Sequence, residues 1–119
     1  GYTGVSWTNA DKQRKKDKSA FLFQLSPNME IILQNDNNNG NNAVIHSSQF
    51  MCIFGYGWDL CISNQCNQNR QSFCQSLTHA FEPKKLVGGT NDSGYQSFKV
   101  KNIEVFKVRY DVSKPFYDN

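Results

Sequence analysis

Four cysteines (Cys52, Cys61, Cys66 and Cys74) and two histidines (His46 and His79) have the widest chemical repertoire in this chain. A thiol beside an imidazole is an activated nucleophile, so Cys74 with His79 or His46 is the pairing to weigh for covalent catalysis. The spacing Cys61-x4-Cys66-x7-Cys74, followed by His79, offers zinc donors but lacks the paired C-x2-C knuckles of structural sites. Small buried hydrophobes and loop thiols are the plainer assignment for these cysteines. Asp59 and Glu104 form a second set. As a pair they would act as general acid and base; singly, each would accept hydrogen bonds from turn amides or a basic side chain. Nothing assembles a nucleophile, a base and an oxyanion site, so the structural assignment is preferred and no catalytic, metal or cofactor residue is expected. Gly55 and Gly57 lack the G-K-[ST] and the following helix of a phosphate cradle. Backbone at positive φ, or close packing against Trp58, is their expected task.

What positions these residues is a single domain of 119 residues, 13% aromatic, with a mean hydropathy of −0.65. Much of the polarity is uncharged Asn and Gln, which favour turns because their side chains compete for backbone hydrogen bonds. The formal net charge is +3, and residues 12–18 alone carry five positive charges against one negative. The rest of the chain is therefore close to neutral, which argues against nucleic acid as a partner. The basic run is expected to be a solvated loop between strands; the alternative is a patch that docks on an acidic surface or anionic lipid. No apolar stretch approaches the ~20 residues that span a bilayer. Residues 1–8 lack the basic start and apolar centre of a signal peptide. The cysteines cluster within 23 residues and leave both ends unstapled, so free thiols and a cytoplasmic location are expected.

Strand signals dominate. Phe21-Leu22-Phe23-Gln24-Leu25 alternates, predicting a half-buried strand with Phe21, Phe23 and Leu25 on the buried face. Ser26-Pro27-Asn28 is a turn signal, and the apolar run 29–33 should complete a hairpin. Residues 35–42 are a low-complexity Asn-rich loop, read as a connection without further role. Pairing resumes at Ala43-Val44-Ile45-His46. Beyond Phe54-Gly55-Tyr56-Gly57, the pattern points Trp58, Leu60 and Ile62 one way and Asp59, Cys61 and Ser63 the other. Residues 70–81 are ambiguous between strand and loop. Residues 97–108 predict a strand that becomes apolar on both faces from Ile103, which would bury Glu104 and oblige it to find a partner. Short strands, many turn residues and almost no helical periodicity point to an antiparallel sandwich.

The same segments resemble the TLDc domain family, whose motifs occur here in order along nearly the whole chain. Gly1-Tyr2-Thr3-Gly4-Val5-Ser6-Trp7 resembles G-G-Y-T-x-x-S-W without its leading glycine, and the run from Asp17 through Phe21 and Phe23 to Leu25 resembles the acidic-x-x-A-F-L-F-x-L strand. Phe54-Gly55-Tyr56-Gly57-Trp58-Asp59-Leu60-Cys61-Ile62 resembles F-G-x-G-x-D-[LI]-x-I. Asn67-Gln68-Asn69, Ser72-Phe73 and His79-Ala80-Phe81 follow N-x-N, S-[YF] and H-x-[YF]. Leu86-Val87-Gly88, Phe98 and the run through Glu104 and Phe106 to Val108 resemble the closing L-x-G, F and [IY]-E-V-F-x-V. No one motif is specific; six in register are.

Two features depart from the family pattern. The family's domain extends further towards the N-terminus with a helix and a first strand, so the chain is expected to hold the C-terminal two-thirds of a TLDc domain over residues 1–112, with a tail at 113–119. Leu77-Thr78 also stands where a glycine usually precedes H-x-[YF]. The resemblance implies a mainly β (α+β) sandwich of two antiparallel sheets with few short helices. It further implies a non-catalytic module, akin to oxidation-resistance-type proteins, that binds a protein partner. V-ATPase subunits are the implied partner, with peripheral membrane association through them and a part in oxidative-stress protection.

Overall fold

Short β-branched and aromatic runs separated by Asn, Gly and Ser form strands and turns, and the described chain is built from little else. The structure is a computed structural model that describes residues 1–26, 29–34, 38–56, 58–75, 80–82 and 95–109. Its strands are β1 (Gln13–Lys15), β2 (Leu22–Gln24), β3 (Glu30–Ile32), β4 (Val44–His46), β5 (Phe50–Phe54), β6 (Leu60–Ser63), β7 (Ser72–Gln75) and β8 (Tyr95–Phe98). They form a six-stranded sheet in the order β1-β4-β5-β6-β7-β8 and a two-stranded sheet, β2-β3. Every pairing is antiparallel, and no helix occurs among the described residues. The expected mainly β architecture of two antiparallel sheets is the one observed.

The core lies between the sheets. Ala20, Leu22 and Ile32 from the hairpin meet Val44, Phe54 and Cys74 from the larger sheet, with Ala80 and Phe81 closing the cluster. Register explains the division. Val44 pairs with Phe54, Phe54 with Leu60 and Leu60 with Cys74, so one row of side chains faces the hairpin. The adjacent row, Arg14, Ile45, Ile53, Cys61 and Phe73, faces away, and Ile45, Ile53 and Cys61 form a second cluster with Phe73 packed against it.

The β2-β3 hairpin forms in the expected place, with Leu22 opposite Ile32 and Phe23 opposite Ile31. Its buried face is the reverse of the one expected. Leu22 is 1% exposed, whereas Phe23 is 39% exposed and Leu25 more so. Both faces of this hairpin are apolar, so alternation alone does not choose between them; Leu22 and Ile32 face the larger sheet, while Phe21 stacks on Tyr2 at 5.3 Å outside it. We therefore expect Leu22→Ala to cost about 3 kcal/mol and Phe23→Ala less than about 1 kcal/mol in urea unfolding. Equal losses would contradict this orientation.

Other segments depart from expectation as well. The basic run is not a loop: β1 lies inside it and forms an edge of the six-stranded sheet. Charged side chains on an edge strand discourage pairing with further chains. The described part of the Asn-rich loop does more than connect, since the Asp17 amide donates to the Gly40 carbonyl at 2.9 Å. Gly40 has φ +77, and a Cβ there would meet the Lys18 nitrogen at 2.7 Å. The ambiguous segment contains a strand, β7.

The strand expected at 97–108 ends at Phe98. The Val100 amide donates to the Cys66 carbonyl, taking the chain off the sheet. Residues 103–108 have no ladder beside them among the described residues and are exposed, Phe106 by 77%. Glu104 is solvated and needs no buried partner.

Candidate functional site

The connection between β5 and β6 is fixed by contacts between its own backbone and a buried carboxylate. Phe54 pairs with Leu60, and the intervening chain turns with the Trp58 amide donating to the Gly55 carbonyl at 3.0 Å. Gly55 has φ +87 and lies against the Asp59 carboxylate. Asp59 is 1% exposed; its Oδ2 accepts the Phe81 amide at 3.1 Å, tying the turn to the residues that close the core. Its Oδ1 is buried without a hydrogen-bond partner among the described residues. Burial pushes the Asp59 carboxyl up to about 7, opposed by the backbone amides of Phe81 and Ala80. The group is thus held by backbone, and Glu104, its conceivable catalytic partner, is on the exposed segment.

Trp58 sits at φ +60, an uncommon conformation for a bulky residue. It does not continue the strand alternation and so does not share a side with Leu60 as expected. The indole instead lies on the outer face, edge-on to Phe50 at 5.4 Å and stacked on Phe73 at 6.2 Å.

A second carboxylate, Asp17, organises the start of the chain. It accepts hydrogen bonds from Thr3 Oγ1, the Gly4 amide, the Ser19 amide and Ser19 Oγ. Gln34 Nε2 donates to the Asp17 and Ala20 carbonyls at 2.7 and 3.0 Å, adding the end of β3 to the same assembly. Burial alone would raise the carboxyl; the bonds from Ser19, Thr3 and Gly4 overcome it and hold the pKa below its usual range. A carboxyl with a depressed folded pKa stabilises above its unfolded pKa, and that contribution is lost as pH falls through the folded value. Asp17→Asn should therefore cost about 1–2 kcal/mol at neutral pH and lose part of that deficit below about pH 4. Denaturation at pH 7 and pH 3 measures both; an equal deficit at each pH would refute the charge argument.

All four cysteines are free thiols, and Cys61, Cys66 and Cys74 are buried. Burial raises Cys52 to about 11 and pushes Cys61 and Cys74 upward as well. A raised pKa keeps a thiol protonated and poorly nucleophilic. Iodoacetamide at neutral pH should accordingly label Cys61 and Cys74 only as fast as the chain unfolds; rapid native labelling would contradict their burial. His46 is also buried, its Nδ1 sharing a 2.9 Å hydrogen bond with Thr8 Oγ1 and its Nε2 unpartnered among the described residues. Among those residues no three of His, Cys, Asp and Glu form a group able to hold a metal. His79, the imidazole weighed for such a set, lies outside them.

Several motif residues assemble around Phe54. Trp7 packs edge-on against its ring at 5.4 Å, and a Cβ on Gly1 would meet that ring at 2.8 Å. Tyr2 bridges Phe21 across a short antiparallel contact, and Phe21 lies 6.0 Å from Phe23. Phe98 packs on the main core. Asn69 and Ser72 clamp the loop after β6, Asn69 Oδ1 accepting from Ser63 Oγ at 2.8 Å and Ser72 Oγ from the Ser63 amide at 3.1 Å. Glu104 and Phe106 are not brought to any of these groups. Gly57 and Gly88 lie outside the described residues. An acid inside a lysine-rich run reads as charge patterning, which hides the Asp17 assembly in the sequence; its one signal is the Asp17-x-Ser19 spacing of an Asx turn.

Two antiparallel sheets enclosing one core, with a glycine-aspartate turn locked to it, define a mainly β sandwich domain. A family model described as the TLDc domain matches residues 1–109, and the chain belongs to that family. No curated protein and no solved structure matches the chain significantly.

Proposed function

We propose that this chain is a non-catalytic, intracellular protein-interaction module of the TLDc type, that its partner is the vacuolar proton pump (V-ATPase), and that it serves protection against oxidative stress. The observation that carries the reading is the family match over residues 1–109. Free thiols support a reducing, cytoplasmic compartment. The buried thiols of Cys61 and Cys74, held protonated, and the backbone-held Asp59 support binding rather than catalysis. Among the described residues no helix is long and apolar enough to cross a membrane, in keeping with association through a partner. Loops and the exposed residues 103–109 are where contacts are expected. The test is capture from cell lysate on the immobilised domain. Recovery of subunits of the pump's catalytic sector or peripheral stalk is expected; their absence would leave a scaffold without pump contact.

A further inference from the structure

The turn between β5 and β6 divides its residues between two tasks. Phe54, Gly55 and Asp59, which carry the family motif, face the core or the turn's own backbone. Tyr56 and Trp58 occupy the motif's unspecified positions, and both project outwards. Trp58 is 39% exposed despite its size and its positive φ. A backbone conformation of this kind persists only where its surroundings impose it, here the turn on one side and the Phe50 and Phe73 rings on the other.

These rings cap the outward cluster of Ile45, Ile53 and Cys61, which is itself buried, so that Trp58 and Tyr56 are what this face presents to solvent. At the border of the same face stands the basic edge strand. Arg14, in register with Ile45, places its guanidinium carbon 4.2 Å from the centre of the Tyr56 ring. Lys12 and Lys16 flank the strand and are exposed. Asp17, the acid within the run, turns its carboxylate to Thr3, Gly4 and Ser19 and does not pair with them. An exposed Trp, Tyr and Arg on a rigid sheet is the composition of an interface centre, and its basic border selects the sign of the partner's charge.

We propose that this outer face, centred on Trp58, Tyr56 and Arg14, is a docking surface for an acidic segment of a partner protein, with an apolar side chain seated against Trp58. The proposal rests on the interaction-module reading and gives that module a surface and a partner chemistry. A second copy of this chain fits less well, because the described residues named on this face include no acid to meet the basic strand. Nucleic acid fits less well too, because the chain outside residues 12–18 is close to neutral.

The experiment pans a random peptide phage library on the full chain and titrates the selected peptides, fluorescein-labelled, by anisotropy. Peptides combining Asp or Glu with Phe, Leu or Trp are expected, weakening with added salt. Trp58→Ala should reduce their affinity by at least about tenfold. Because that substitution also removes packing, Lys12→Glu/Lys16→Glu, at exposed positions, provides the second test and should give a comparable loss. No enrichment, peptides without acidic residues, or acidic peptides indifferent to both variants would overturn the proposal. So would tighter, competing binding of a single-stranded oligonucleotide, or a concentration-dependent dimer abolished by the same substitutions. No pump subunit is present in this assay, so its failure and failure of the V-ATPase reading are separate results.

Discussion

Gly55→Ala is expected to destabilise the domain by about 3–5 kcal/mol. Two costs combine. At φ +87 a Cβ is disfavoured by about 1–2 kcal/mol whatever the space around it. The new atom would also lie 2.5 Å from Asp59 Oδ2 and 2.6 Å from Asp59 Cγ. Asp59 cannot swing aside freely, because it is buried and holds the Phe81 amide. Gly4→Ala is the internal comparison. Its Cβ would approach Ser19 Oγ at 3.3 Å, so a change below about 1 kcal/mol is expected. Chemical denaturation of both variants measures the difference, and a Gly55→Ala chain as stable as wild type would remove the turn from its assigned role.

Asp59 should make stability depend on pH in a direction unusual for an aspartate. Its carboxyl is raised to about 7 in the folded chain by burial, from an ordinary value of 3.8. Between those values the folded state holds a proton that the unfolded state has released, so this group's contribution falls as pH rises from about 4 to about 7. The full excursion is roughly 4 kcal/mol. His46 works against it: burial, then Lys15, lowers its pKa, so acidification below about 6.5 costs stability from that side. The difference between wild type and Asp59→Asn isolates the carboxyl. Asparagine keeps an oxygen for the Phe81 amide and cannot ionise, so the variant should gain on wild type by several kcal/mol as pH rises from about 4 to 8. Asp59→Ala, which orphans that amide, should lose stability across the range. A wild-type-minus-variant difference that does not change with pH would show that Asp59 is ionised in the fold.

Much of this arrangement is legible in the residues, and the illegible parts have physical reasons. The β2-β3 hairpin follows from two apolar runs around Ser26-Pro27-Asn28. Its inward face does not, because Leu22 and Ile32 on one side are no more apolar than Phe23 and Ile31 on the other. Residues 103–108 are apolar on both faces, as a buried strand should be, yet that pattern reports what a segment can pair with and not whether a ladder stands beside it. The basic run reads as loop from charge alone, though charge is also what an edge strand carries. Gly55 and Asp59 stand out through the family motif. Their mutual contact, and the link from Asp59 to Phe81 across 22 positions, appear only once the sheets are stacked. Strand alternation puts Trp58 on the side of Leu60, but its positive φ breaks that alternation and turns the indole to the other face.

Binding of the vacuolar proton pump is the function proposed for this TLDc domain. Its most direct test is interferometry of the purified chain against the purified catalytic sector and peripheral stalk of the V-ATPase at physiological salt. Saturable binding at micromolar concentrations or below is expected. No binding to either assembly, by a chain shown to be folded through protection of its buried thiols, would contradict it.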